Sequence, residues 1–158
     1  MPTKTSSGIL LFRRRGALEV LLAHPGGPFW ARKDEGAWFI VKGEVNPDED
    51  LLAAARREFR EELGVDVPPG ELVSLGTVKN KSGKVIHAWA LEGDLDVTRI
   101  VSNTCEIEWP PRSGKRVSIP EIDRAEYFSI EEATRKMSAS ERVLLERLVQ
   151  LVAPTQKK

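Results

Sequence analysis

Apolar residues gather in short runs separated by turn-forming residues, and the first two runs set the class of fold. Residues 8–12 (Gly-Ile-Leu-Leu-Phe) and 18–23 (Leu-Glu-Val-Leu-Leu-Ala) are nearly continuous in apolar character. Runs of this kind predict strands buried on both faces, here joined by a turn at 13–16. His24-Pro25-Gly26-Gly27-Pro28 breaks the chain and opens a loop running to Gly36. Residues 37–41 (Ala-Trp-Phe-Ile-Val) predict a third strand, leading straight into Lys42-Gly43 and then a helix.

For that helix, Asn46 suits the N-cap, Pro47 the first helical position, and Glu49 stands three residues after the cap. Leu52, Ala55, Phe59 and Leu63 form one stripe at helical spacing, and Gly64 predicts the stop. Residues 72–79 and 85–91 predict two more strands around a turn at 80–83. Residues 94–120 show no clear period, and 109–116 (Trp-Pro-Pro-Arg-Ser-Gly-Lys-Arg) predict a long exposed loop. Two Ser-x-x-Glu patterns, Ser129 with Glu132 and Ser138 with Glu141, predict a short helix and then a longer one ending near Val152.

Composition narrows the class. With 158 residues, 41% of them hydrophobic and no repeat or linker, the chain predicts one domain over 1–158. Lys plus Arg balances Asp plus Glu at 24 each, so the basic footprint of a general nucleic-acid binder is absent. The single cysteine, Cys105, excludes an internal disulfide and a thiolate metal site, and predicts a small buried or half-buried residue. The apolar run at 9–12 is too short for a membrane span, and Arg13-Arg14-Arg15 follows it on the wrong side for a signal peptide. A cytoplasmic protein without a membrane partner is expected.

The acids are concentrated where the chain enters the predicted helix: Glu49, Glu58, Glu61 and Glu62, with Arg57 among them. On an ideal helix Glu58 and Glu62 lie about 40° apart, and Glu58 and Glu61 about 60° apart in the opposite sense. The three carboxylates therefore share one arc of about 100° beside the apolar stripe. Acids so close repel unless a cation neutralises them. A hard divalent ion, Mg²⁺ or its substitute Mn²⁺, takes oxygen ligands and shares its remaining shell with water and phosphate, which points to phosphate chemistry. Taken alone, Arg-Glu-x-x-Glu-Glu is equally a solvated face of Glu/Arg pairs.

The wider pattern decides between them. Gly43, Glu49 and Arg57-Glu58-Phe59-Arg60-Glu61-Glu62-Leu63-Gly64-Val65 resemble the Nudix box, here 43–65, at every defined position. At ordinary residue usage a chance match is on the order of 10⁻⁸ per window. The resemblance implies an α/β fold, a Nudix-type α/β/α sandwich, with a mixed central sheet between the box helix and the C-terminal helices. It implies metal-dependent hydrolysis of a nucleoside diphosphate linked to another moiety, with a small-molecule nucleotide as partner and no extended nucleic acid. Glu58, Glu61 and Glu62 would hold divalent ions, Glu58 would activate water, Arg57 would orient the glutamates, and Glu49 would brace the loop–helix junction. Gly43 would let its carbonyl approach a metal. A further glutamate from outside the box is expected to be Glu121, with Glu106 and Glu108 as rivals.

The approach Trp38-Phe39-Ile40-Val41-Lys42-Gly43 is similar to the Trp-x-x-Pro-Lys-Gly of diadenosine tetraphosphate hydrolases, with Val41 at the proline position. Lys42 is then a phosphate ligand. Those hydrolases often carry a tyrosine shortly beyond the box, where this chain has Lys81-Ser82-Gly83. Base stacking therefore falls to Trp30, Trp38, Trp89 or Trp109, and Lys79, Lys81 and Lys84 or Arg112, Lys115 and Arg116 would grip a polyphosphate. A dinucleoside polyphosphate is the expected substrate, and a modified nucleoside triphosphate such as 8-oxo-dGTP is the alternative. A Nudix-fold sensor without catalysis is the alternative of another class. Such modules have commonly lost box glutamates, which this chain retains.

Overall fold

The computed structural model describes residues 4–152, so the ends of the expected 1–158 domain, 1–3 and 153–158, lie outside the described residues. In chain order the strands and helices are β1 (Thr5–Arg15), β2 (Ala17–Pro25), β3 (Val41–Glu44), α1 (Leu51–Leu63), β4 (Val73–Lys79) and β5 (Val85–Glu92). They continue as β6 (Thr104–Glu108), β7 (Arg116–Pro120), β8 (Ile122–Ser129), α2 (Ile130–Lys136) and α3 (Val143–Val152), with single 3₁₀ turns at Val97–Arg99 and Ala139–Glu141. The main sheet runs β4-β5-β1-β2-β8, with β3 also on β1. It is mixed, because β1 and β5 are parallel while the other pairs are antiparallel.

The unbroken apolar runs of β1 and β2 are explained by burial on both faces. Leu10, Phe12, Val20 and Leu22 face α2 and α3, meeting Ala133, Leu144, Leu145 and Leu148. The alternate residues Ile9, Leu11, Leu21 and Ala23 face α1, meeting Ala55, Phe59 and Leu63. This is the expected α/β/α sandwich. Along the helical stripe, Ala54 is buried and Leu52 is only half-buried. Among the described residues no helix is long and apolar enough to cross a membrane.

Several expected elements shift, each for a local reason. Residues 37–41 are not a continuous third strand. Phe39 exchanges both backbone bonds with Ala23, whereas the Trp38 N–H donates to the Lys136 carbonyl and its carbonyl accepts from Ser138. The chain thus crosses from β2 to the end of α2 before β3 starts at Val41, and Lys42-Gly43 lies inside that strand. The helix begins later than Asn46. Asp48 has a left-handed φ of 64°, so 46–49 closes as a turn, with the Glu49 N–H on the Asn46 carbonyl. Asp50 is the N-cap, its carboxylate accepting from the Ala53 N–H. Residues 94–120 carry the β6–β7 hairpin, and the exposed loop is only its tip at 109–115. Ser129 caps α2 as expected, but Ser138 makes no side-chain cap bond, and Glu141 turns inward.

Candidate active site

β1 divides one edge between two partners, its residues 6–9 pairing with β3 and 12–15 with β2. This holds β3 against the start of α1 and places Gly43 directly against Glu58. A Cβ on Gly43 would stand 2.0 Å from the Glu58 carboxyl carbon. Only glycine leaves room for a carboxylate there.

Arg57 organises the acids. Its Nε donates to Glu49 Oε2 at 2.8 Å and its Nη2 to Glu49 Oε1 at 2.9 Å, a bidentate grip on the loop before the helix. Nη2 also donates to the Glu44 carbonyl at 2.9 Å, tying in the end of β3. Nη1 donates to Glu58 Oε2 at 2.8 Å and Glu61 Oε1 at 3.2 Å. Glu49 in turn accepts from the Asn46 N–H at 3.0 Å. The Arg57 guanidinium, and then the Asn46 N–H, hold Glu49 down to about 2 from an ordinary 4.5.

Glu58, Glu62 and Glu121 are shifted in the opposite direction. Burial, with Glu58 and Glu121 adding repulsion, pushes Glu62 up to about 8 against the opposing pull of Lys42. Burial also raises Glu58, although Arg57 pulls it down, and Glu61 and Glu121 repel it. Glu121 is raised by burial and by Glu61. Among the three acids expected to compete outside the box, Glu121 is therefore the one drawn into the cluster. Its position follows from the backbone: its N–H donates to the Asn103 carbonyl, and the Asn103 N–H donates to the Glu61 carbonyl. Glu106 instead pairs with Arg116 at 3.2 Å, and Glu108 accepts from the Gly114 N–H at 2.7 Å, both within the β6–β7 hairpin. Among the described residues no three of these carboxylates already converge on one coordination point.

The comparisons with known proteins bear on this site. The sequence matches the NUDIX domain family over residues 2–148. The chain belongs to the NUDIX family. A CTP pyrophosphohydrolase of Escherichia coli K12 is 42% identical over 62 residues, which are 37% of this chain and 45% of that protein. The chain thus spans less than half the length of that curated relative. In fold it is similar to an Ap4A hydrolase of C. elegans in a binary complex, with a TM-score of 0.68, 21% identity, and coverage of 94% of this chain and 98% of the other. It is also similar to the NUDIX domain of Shewanella oneidensis NrtR complexed with ADP ribose, with a TM-score of 0.67, 18% identity, and coverage of 97% and 90%.

Around this NUDIX site the expected substrate contacts divide. Lys42 stands beside Gly43 in β3, its Nζ 2.9 Å from Glu141 Oε2 and 4.3 Å from the centre of the Phe39 ring. Trp38 has no face free for a base. It is 1% exposed, and its indole N–H donates to Asp34 at 2.8 Å. Trp89 is half-buried, donating to Ser7 Oγ at 3.1 Å and stacked on His87. Trp30 lies edge-on to Phe39 at 6.2 Å, beside Lys42, and Trp109 lies edge-on to Phe29 at 5.0 Å, at the hairpin tip. Lys79 and Lys81 are exposed at the β4–β5 turn, where Lys84 pairs with Glu44 at 3.3 Å near the start of α1. Arg112 and Lys115 are exposed at the other basic turn, on a hairpin rooted near Glu121, and no contact among the described residues joins the two groups. Phe29, Phe39 and Glu141 were missed by sequence reasoning. Aromatic spacing alone did not set these phenylalanines apart from core residues, and Glu141 sat in a pattern that reads as a helix cap.

Proposed function

We propose that the chain is a divalent-cation-dependent hydrolase that uses water to cleave a phosphoanhydride bond in a nucleoside polyphosphate, as a single NUDIX domain over 1–158. One observation carries the reading: an organised arginine sets box carboxylates beside a half-buried Glu62 that has no ion-pair partner among the described residues. A structural helix face has no need to bury acids that repel one another. The donor set fits a hard divalent ion such as Mg²⁺. Glu58, Glu61, Glu62 and Glu121 are oxygen donors with excess negative charge, and Gly43 leaves its backbone open beside Glu58. When bound, such an ion supplies positive charge against phosphate oxygens and makes water more acidic. The chain's own part is positional. Arg57 occupies Glu58 Oε2 and leaves Oε1 to receive a proton from the attacking water, while Lys42 offers its ammonium to a phosphate oxygen.

Among substrates, a dinucleoside polyphosphate is our first reading. Its support is the presence of two aromatic platforms at different ranges. Trp30 with Phe39 adjoins Lys42, and Phe29 with Trp109 stands at the hairpin tip beside Arg112 and Lys115. Six steps of extended chain lead from Lys115, opposite Trp109, to Glu121, a span of roughly 20 Å at most. Two platforms suit two nucleosides joined by a polyphosphate. The second reading, a nucleoside triphosphate such as 8-oxo-dGTP cleaved to monophosphate and pyrophosphate, is favoured by the similarity to a CTP pyrophosphohydrolase.

Product analysis with Mg²⁺ on diadenosine tetraphosphate, 8-oxo-dGTP, CTP and ADP-ribose tests both. ATP plus AMP at the highest kcat/KM supports the first reading, and pyrophosphate release from a triphosphate replaces it with the second. Tight nucleotide binding without turnover, with cation present, would make the protein a sensor.

A further inference from the structure

Glu141 is the most buried carboxylate among the described residues, 1% exposed, and the reaction outlined above makes no use of it. It comes from the Ala139–Glu141 turn, on the far side of the sheet from α1, and both its oxygens are engaged at β3 and the segment leading to it. Oε1 accepts from the Ile40 N–H at 3.0 Å, and Oε2 lies 2.9 Å from Lys42 Nζ. The Phe39 ring supports the same ammonium from a second side at 4.3 Å. Lys42 adjoins Gly43, which stands directly against Glu58, yet its amine rests on Glu141 and makes no ion pair with Glu58, Glu61 or Glu62. In a cluster with excess negative charge, an untethered ammonium would close on the nearest carboxylate and compete with a divalent ion for it.

We infer that Glu141 is a positioning residue: it holds the Lys42 ammonium at the rim of the acid cluster, where Lys42 meets substrate phosphate instead of closing on a box carboxylate. The C-terminal turn thereby becomes part of the site, although it supplies nothing that touches substrate. An ammonium has three donors, so one bond to Glu141 leaves two for phosphate oxygens. The inference rests on the hydrolase reading, and its test includes measurements that do not require turnover.

The variants are Glu141→Gln, which keeps an acceptor for the Ile40 N–H while removing the charge, Lys42→Met, and the double variant. Mn²⁺ binding without nucleotide is followed by electron paramagnetic resonance, and kcat and KM are measured on the best substrate of the panel. Glu141→Gln should weaken Mn²⁺ binding about tenfold and lower kcat/KM about tenfold, with folding checked by circular dichroism. In the Lys42→Met background the same change should have almost no effect on either quantity, because no ammonium remains to misplace. Additive losses, or unchanged Mn²⁺ binding in Glu141→Gln, would overturn the inference. A second arm uses the unaltered protein, so a variant that does not fold leaves the question decidable. The ¹⁵N signal of Lys42 Nζ, assigned with Lys42→Arg, should show slow proton exchange without cation, and exchange as fast as that of surface lysines would also overturn the inference. If no substrate is cleaved, the hydrolase reading fails, while Mn²⁺ binding and amine exchange still judge Glu141.

Discussion

At the scale of single residues, the contact between Gly43 and Glu58 is the tightest constraint on the site. A methyl group at position 43 would stand 2.0 Å from both the Glu58 carboxyl carbon and Oε1, so the carboxylate must leave. The obstructing atoms are the end of a flexible side chain, not backbone, so the fold has an inexpensive way to accommodate the change. Gly43→Ala should therefore lower kcat by about a hundredfold or more while Tm moves by only a few degrees. A large loss of Tm with activity retained by the folded fraction would reverse the assignment and make Gly43 structural. Glu58→Gln tests the same carboxylate without moving it. The amide still accepts from Arg57 but is no longer a base, so kcat should fall by several orders of magnitude in a protein with unchanged circular dichroism. Near-normal turnover of that variant would move the proton acceptor to another acid, with Glu121 the first candidate.

Among the elements, α1 shows how local chemistry divides between capping and catalysis. Asn46 and Glu49 have the spacing of a capping box, and Glu49 accepts from the Asn46 N–H as well as from Arg57, but the helix starts only after Asp50. Asp50→Ala should cost about 1 kcal/mol in urea unfolding, whereas Asn46→Ala, whose side chain accepts no cap bond here, should cost clearly less. The opposite order would restore the earlier start. The box acids, Gly64 as the stop and the β1, β2, β4 and β5 runs were legible in sequence because helical and strand periods are local properties. The start of α1 was not legible, because a left-handed Asp48 carries no compositional signal. The β6–β7 hairpin was also hidden, since it alternates half-buried and exposed residues without a strong apolar period. Glu141 was illegible for a different reason: its partners, Ile40 and Lys42, are about a hundred residues away. The hairpin yields its own prediction, because its tip is where the second aromatic platform stands. Trp109→Ala should raise KM for a dinucleoside polyphosphate about tenfold and leave KM for a mononucleotide nearly unchanged. Equal effects on both substrates would remove the second platform.

For the molecule as a whole, the site sets stability against charge, and pH separates the contributions. Glu62 is pushed up to about 8 from 4.5, so over that interval the folded chain keeps a proton that the unfolded chain has released. Stability then falls as pH rises, because the unfolded state binds fewer protons there. Glu58 and Glu121 are raised as well and act in the same direction. Glu49 acts oppositely. It is held down to about 2, so its contribution is present above 4.5 and is lost as pH falls through the folded value. Without divalent cation, Tm should therefore decline between about pH 5 and about pH 8, with a separate decline on the acid side below about pH 4.5. Glu62→Gln should flatten the first decline and leave the second in place. Cation binding favours the ionised acids of the folded state, so Mg²⁺ should raise Tm more near pH 8 than near pH 5. Calorimetry across that range, with and without Mg²⁺, decides the matter. A Tm that rises toward pH 8 without cation, or a Glu62→Gln variant with the parent's slope, would mean that the acids are relieved by the fold itself and that the site carries no charge awaiting a metal.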